Sequence, residues 1–169
     1  NVGIKPISKI YELWILGELL ELIKDILDVD FIVEKSPDLH TIEVTDDVTI
    51  YYNTPLNQHS RFLDGGLGSH PGRPDFAIEK QGSIVWIGDA KYSPEQNIGL
   101  DSYQRLLTYM VDLMEANGRS AASIIHVDQK SFRTEINTDD YNLTQSCLRP
   151  SDPTFSGLPV VLSKALKLS

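Results

Sequence analysis

The chain has 169 residues, 41% of them apolar and 23% charged, which suits one domain with a full hydrophobic core. Fifteen basic against 24 acidic residues leave a net charge of −9. That balance argues against a stand-alone module gripping nucleic acid through its phosphates, but not against an enzyme whose acids hold cations.

The lone cysteine, Cys147, excludes an internal disulfide and thiolate metal clusters, and it reads as a structural or incidental thiol. No apolar run reaches membrane-spanning length, so a soluble, cytoplasmic protein is expected. The first residue is Asn rather than Met. We therefore expect residues 1–169 to be a single domain excised from a longer protein. Its core is expected over about 5–137, with an irregular extension over 138–169.

From Lys5 to Asp28 apolar residues recur at helical spacing, with Pro6 and Ser8 as start signals. Glu18, Glu21, Lys24 and Asp25 share one polar face of this helix. Glu12 falls on the opposite face among Leu16, Leu19, Ile23 and Ile26, where an ionised acid needs a charged partner or a metal ion. Phe31–Val33 reads as a short strand, and His40–Val44 and Val48–Tyr52 as a hairpin turning at Asp46-Asp47.

Thr54–Gly72 is rich in turn residues and reads as a long flap. Its Gly65-Gly66-Leu67-Gly68 run lacks the lysine and following helix of a phosphate cradle. Arg73–Glu79 and Ser83–Lys91 are the strongest strands, separated by Lys80-Gln81-Gly82. Asp101–Asn117 is a second amphipathic helix stopped by Gly118, and Ala122–Val127 is an apolar strand. Beyond Asp128 short strands are expected near Phe132–Ile136 and Pro159–Leu162. This order predicts an α/β fold, a mixed central sheet flanked by helices.

Asp75 opens one strong strand and Asp89 closes the next. If the two pair as a hairpin, both carboxylates meet at one edge of the sheet. Like charges that close need a cation between them, and oxygen ligands suit Mg²⁺ or Mn²⁺. Lys91 lies two residues past Asp89, on the same strand face, where it can orient a metal-bound water and stabilise charge on a phosphate. Ala90 points the other way, leaving its carbonyl as a further ligand.

Competing chemistries find little support. His126-Val127-Asp128 ends a strand, but no His-x-x-x-His spacing supports a zinc site. No Gly-x-Ser-x-Gly elbow supports a serine hydrolase. His59, Arg61, His70 and Arg73 flank the flap as solvated residues, and Tyr51, Tyr52 and Trp86 suit sheet packing.

Three motifs in order, Tyr11-Glu12-Leu13-Trp14, Arg73-Pro74-Asp75 and Asp89-Ala90-Lys91-Tyr92, resemble the PD-(D/E)XK nuclease superfamily. They are most similar to a bacterial subgroup of restriction-associated nucleases. The likeness runs over roughly residues 10 to 127. It implies a restriction-endonuclease-like core and a Mg²⁺-dependent (or Mn²⁺-dependent) nuclease, with DNA as substrate and a place in restriction or defence.

By position, the resemblance implies that Asp75, Asp89 and Glu12 hold metal and that Lys91 is the catalytic lysine. Relatives often carry a Gln with a Tyr four residues later on the next helix. Here Gln104 and Tyr109 are five apart. Gln104, Arg105 and Tyr109, with Arg73 and Tyr92, are the candidate nucleic-acid contacts. A partner domain or subunit would supply DNA recognition, and double-strand cutting would call for a homodimer. The alternatives are a non-catalytic interaction module on the same fold, or an enzyme acting on another phosphate ester.

Overall fold

A computed structural model describes residues 4–30, 40–62, 72–117, 120–128 and 132–167. The strand expected at Phe31–Val33, the Gly65–Gly68 segment, His70 and Gly118 lie outside these residues. Helix α1 spans Ile4–Leu27 and ends where Asp28 takes a left-handed conformation (φ 53°), with the Val29 N–H donating to the Lys24 carbonyl. Strands β1 (Thr41–Thr45) and β2 (Val48–Tyr52) form the predicted hairpin, and β3 (Phe76–Lys80) continues the antiparallel meander.

The β3–β4 hairpin sets the functional geometry. Strand β4 spans Ser83–Lys91, and the turn residues Gln81 and Gly82 both have positive φ (52° and 81°), the two-residue turn that matches strand twist. Near the turn, Lys80 pairs with Ser83 and Glu79 with Ile84. Beyond Ile78 the register has moved by one, giving Ile78–Trp86, Ala77–Ile87 and Phe76–Gly88. Val85 is the extra residue of a β-bulge. Continued one step, the shifted register sets Asp75 opposite Asp89. Without the bulge Asp75 would face Gly88, and the acids would miss each other.

After β4 a crossover through helix α2 (Leu100–Leu113) leads to β5 (Ser120–His126), which lies parallel to β4. β7 (Tyr141–Cys147) runs parallel to β5, and β6 (Phe132–Asn137) closes the edge antiparallel to β7. The seven-stranded mixed sheet has the order β1-β2-β3-β4-β5-β7-β6. Helices α1 and α3 (Leu158–Lys167) cover one face, with Ile15, Leu19, Ile23, Phe76, Trp86, Leu158 and Leu162 buried between them and the sheet. Helix α2 covers the other face through Leu106, Met110 and Leu113. Among the described residues no helix is long and apolar enough to cross a membrane.

Three expectations are corrected. The second helix stops at Leu113 rather than Asn117, because Met114 turns extended, is fully buried and bridges to Ile84. Residues 138–167 are not an irregular extension, since they contain an interior strand and a helix. The strand expected near Pro159–Leu162 is helical, with Leu158, Val161, Leu162, Ala165 and Leu166 buried at helical spacing. β7 escapes periodicity because its buried face is polar. Thr144 Oγ1 shares a hydrogen bond with Ser123, Ser146 Oγ donates to the Ser156 carbonyl, and Gln145 Nε2 donates to Tyr103 and Glu135.

Candidate active site

Asp75 and Asp89 open into one cavity of about 410 Å³ with Lys91, Arg105, Arg73, Tyr92, Tyr109, Glu12 and Ser8. The cavity sits at the carboxyl end of β4, where a parallel crossover begins, a position at which α/β sheets commonly bind ligands. The Ala90 N–H donates to Asp75 Oδ2 at 2.8 Å, so the strand itself orients the first acid. Asp89 is 4% exposed, with Lys91 Nζ 2.6 Å from its Oδ2 and Arg105 Nη2 2.8 Å from its Oδ1. The Lys91 contact has the distance of an ion pair but not the angles of a hydrogen bond, leaving Oδ2 buried without a hydrogen-bond donor.

Glu12 resolves differently from its role as a metal ligand. Its Oε2 takes an ion pair from Lys9 (3.0 Å) and hydrogen bonds from Tyr52 Oη (3.2 Å) and Asn53 Nδ2 (3.1 Å). The glutamate on the apolar face thus finds its charged partner on its own helix, although it still lines the cavity. Asn53 was not anticipated. Its φ of 49° turns the chain out of β2 so that its N–H donates to the Asp75 carbonyl while its side chain reaches Glu12. An asparagine immediately after a strand, a residue tolerant of the left-handed region, is the sequence signal for it.

On α2 the pair that enters the cavity is Arg105 and Tyr109, four residues and about one helical turn apart. Gln104 is exposed and does not line it. Spaced from Tyr109, the position expected to hold Gln is therefore occupied by Arg105. Tyr92 is half exposed, and its ring meets Tyr11 edge-on at 5.4 Å. Arg73 is exposed. Gly72 packs so closely on α2 that a Cβ would stand 3.0 Å from Leu113.

Burial, then the charge of Asp89, push the Asp75 carboxyl up to about 7, with Glu12 adding to the effect. The Ala90 N–H and Lys91 oppose it. Such surplus negative charge, together with the bare Asp89 Oδ2, fits a hard divalent cation held through oxygen. The fit is to a carboxylate pair. Among the described residues no three His, Cys, Asp or Glu side chains already converge as a ligand set, since Glu12 is engaged elsewhere.

No protein-family model matches the chain, and no curated protein matches it. The chemistry must therefore be argued from the cavity itself.

A larger cavity of about 750 Å³ lies between α2, β6 and β7, lined by Glu95, Tyr103, Arg133 and Glu135 among others. Its one arginine is paired with Glu95 and Glu135. It lacks the paired buried acids beside a lysine, so we place the chemistry in the smaller cavity. His126 is buried, and desolvation lowers its pKa, as for a core imidazole kept neutral. Cys147 is buried and donates to the Asp128 carbonyl, in keeping with a structural thiol.

Proposed function

We propose that this chain is a divalent-metal-dependent nuclease domain with a restriction-endonuclease-like core, acting on phosphodiester bonds in DNA. One observation carries the reading. The Val85 bulge brings Asp75 into register with Asp89, and Lys91 lies on the same face within ion-pair distance. Two acids and a lysine at adjoining strand ends make a cation-and-phosphate site. They have no packing role that apolar residues would not fill better.

Asp75 and Asp89 would hold Mg²⁺ or Mn²⁺, an ion that supplies a Lewis acid at phosphate and acidifies bound water. The Ala90 N–H fixes the Asp75 carboxylate for that task. Lys91 Nζ, released from part of its contact with Asp89, orients the attacking water and stabilises charge building on the phosphate oxygens. Arg73 lines the same cavity and offers a guanidinium to the flanking phosphate. Tyr92 presents an exposed ring beside it, suited to a sugar or base.

DNA as substrate, a place in restriction or defence, and a partner domain for recognition rest on the motif resemblance. The net charge of −9 adds weight to the partner, because the chain itself lacks a basic surplus.

The second reading, a non-catalytic interaction module, is favoured by one feature: Asp89 and Glu12 are already neutralised by Lys91, Arg105 and Lys9. Calorimetry with Mn²⁺ on the wild type and on Asp89→Ala separates the two. Binding that disappears in the variant supports the nuclease reading, and absence of binding in both supports the module.

A further inference from the structure

We propose that Arg105 is a movable counter-ion. It holds Asp89 while the acid pair is without a cation, and it passes to a substrate phosphate once a divalent cation takes that oxygen. The inference rests on the nuclease reading and assigns a task to a side chain that reading does not require.

Both oxygens of Asp89 are occupied by cationic side chains, Oδ2 by Lys91 and Oδ1 by Arg105. A divalent ion bound to Asp89 must therefore displace at least one of them. The two are not equally free. Lys91 belongs to the same strand, two residues on, and its side chain is 25% exposed. Arg105 reaches across from α2, is 44% exposed, and among the described residues has Asp89 as its hydrogen-bonding and ion-pairing partner. Arg105 is the arm that can leave.

Its destination follows from the cavity. Arg105 lines the same space as Arg73 and Tyr92, so a guanidinium released from Asp89 remains inside it. Asp75 and Asp89 would then face the cation, and the anion left to bind there is phosphate. The planar fork of arginine suits phosphate oxygens better than a point charge does. The arm thus couples the two ligands: cation binding converts an internal ion pair into a phosphate contact.

The test compares wild type with Arg105→Ala in two measurements. Calorimetry with Mn²⁺ should show roughly two- to fivefold tighter binding by the variant, because a partly exposed competitor for Asp89 has gone. Fluorescence anisotropy with a labelled oligonucleotide is run over a range of NaCl, either with EDTA or with Ca²⁺ in place of Mg²⁺ to slow cleavage. Removing one phosphate contact should reduce the slope of log affinity against log salt by roughly 0.7 to 0.9, and only with Ca²⁺.

An equal loss of slope in EDTA would overturn the proposal, as Arg105 would then grip phosphate without any switch. No change of slope in either condition would mark Arg105 as a counter-ion only. Failure of the wild type to bind the oligonucleotide with Ca²⁺ would also refute it. If Mn²⁺ binds neither protein, the nuclease reading falls as well; if it binds both equally, only the movable arm falls. Arg105→Gln, which keeps a hydrogen-bond donor without the charge, serves should the alanine variant fold poorly.

Discussion

Replacing Asp75 by Asn should stabilise the metal-free protein at neutral pH, although it removes a residue central to the proposed chemistry. Burial and the charge of Asp89 carry this carboxyl from an ordinary 3.8 to about 7. Holding it ionised in the folded state costs up to about 4 kcal/mol. Residual solvation and adjustment within the acid pair reduce the working figure to about 2 kcal/mol. Asparagine keeps an oxygen for the Ala90 N–H and adds no charge.

The sign follows from proton binding, since the folded chain holds the Asp75 proton more tightly than the unfolded chain does. Its stabilising effect is complete below pH 3.8 and is lost as pH rises towards 7. The advantage of Asp75→Asn should therefore be near zero at pH 4 and complete by about pH 7 to 8, where it raises the melting temperature by about 4 to 8 °C. Thermal unfolding in EDTA across that range measures it. Added Mg²⁺ should then stabilise wild type and leave the variant unchanged. A variant no more stable at pH 8 than wild type, or a gap independent of pH, would refute the electrostatic account.

Three further outcomes are expected. Gly88→Ala places a Cβ 2.3 Å from Trp86 Cη2, so the indole must move, and urea unfolding should show a loss of about 1 to 3 kcal/mol. Deleting Val85 removes the bulge and sets Asp75 against Gly88, so Mn²⁺ binding measured by calorimetry should be lost; retained binding would show that the register does not assemble the site. Lys91→Ala should slow cleavage by about 10²- to 10⁴-fold without weakening Mn²⁺ binding, since the lysine competes for Asp89 rather than helping to hold the ion.

Much of the acid–lysine geometry was legible in the sequence because it depends on strand alternation and one short turn. Asp75, Asp89 and Lys91 could be placed from the hairpin, yet the bulge that completes their register was invisible, since Val85 looks like any other strand residue. Partners that depend on tertiary contact were harder to foresee. Lys9 as the counter-ion of Glu12, Asn53 between two acids, and Arg105 on Asp89 all arise where separate elements meet. The region after Asp128 was misread for a related reason. Polar Thr144, Gln145 and Ser146 form a buried strand through hydrogen bonds that no hydrophobic pattern reveals, and the β-branched pair Val160-Val161 disguised a helix.

Cleavage of labelled single- and double-stranded DNA, with Mg²⁺ or Mn²⁺ and with wild type beside Asp89→Ala, tests the central claim most directly. The nuclease account predicts cation-dependent cutting by wild type and none by the variant. Cutting by both proteins, or none by a wild type that also fails to bind Mn²⁺, would contradict it.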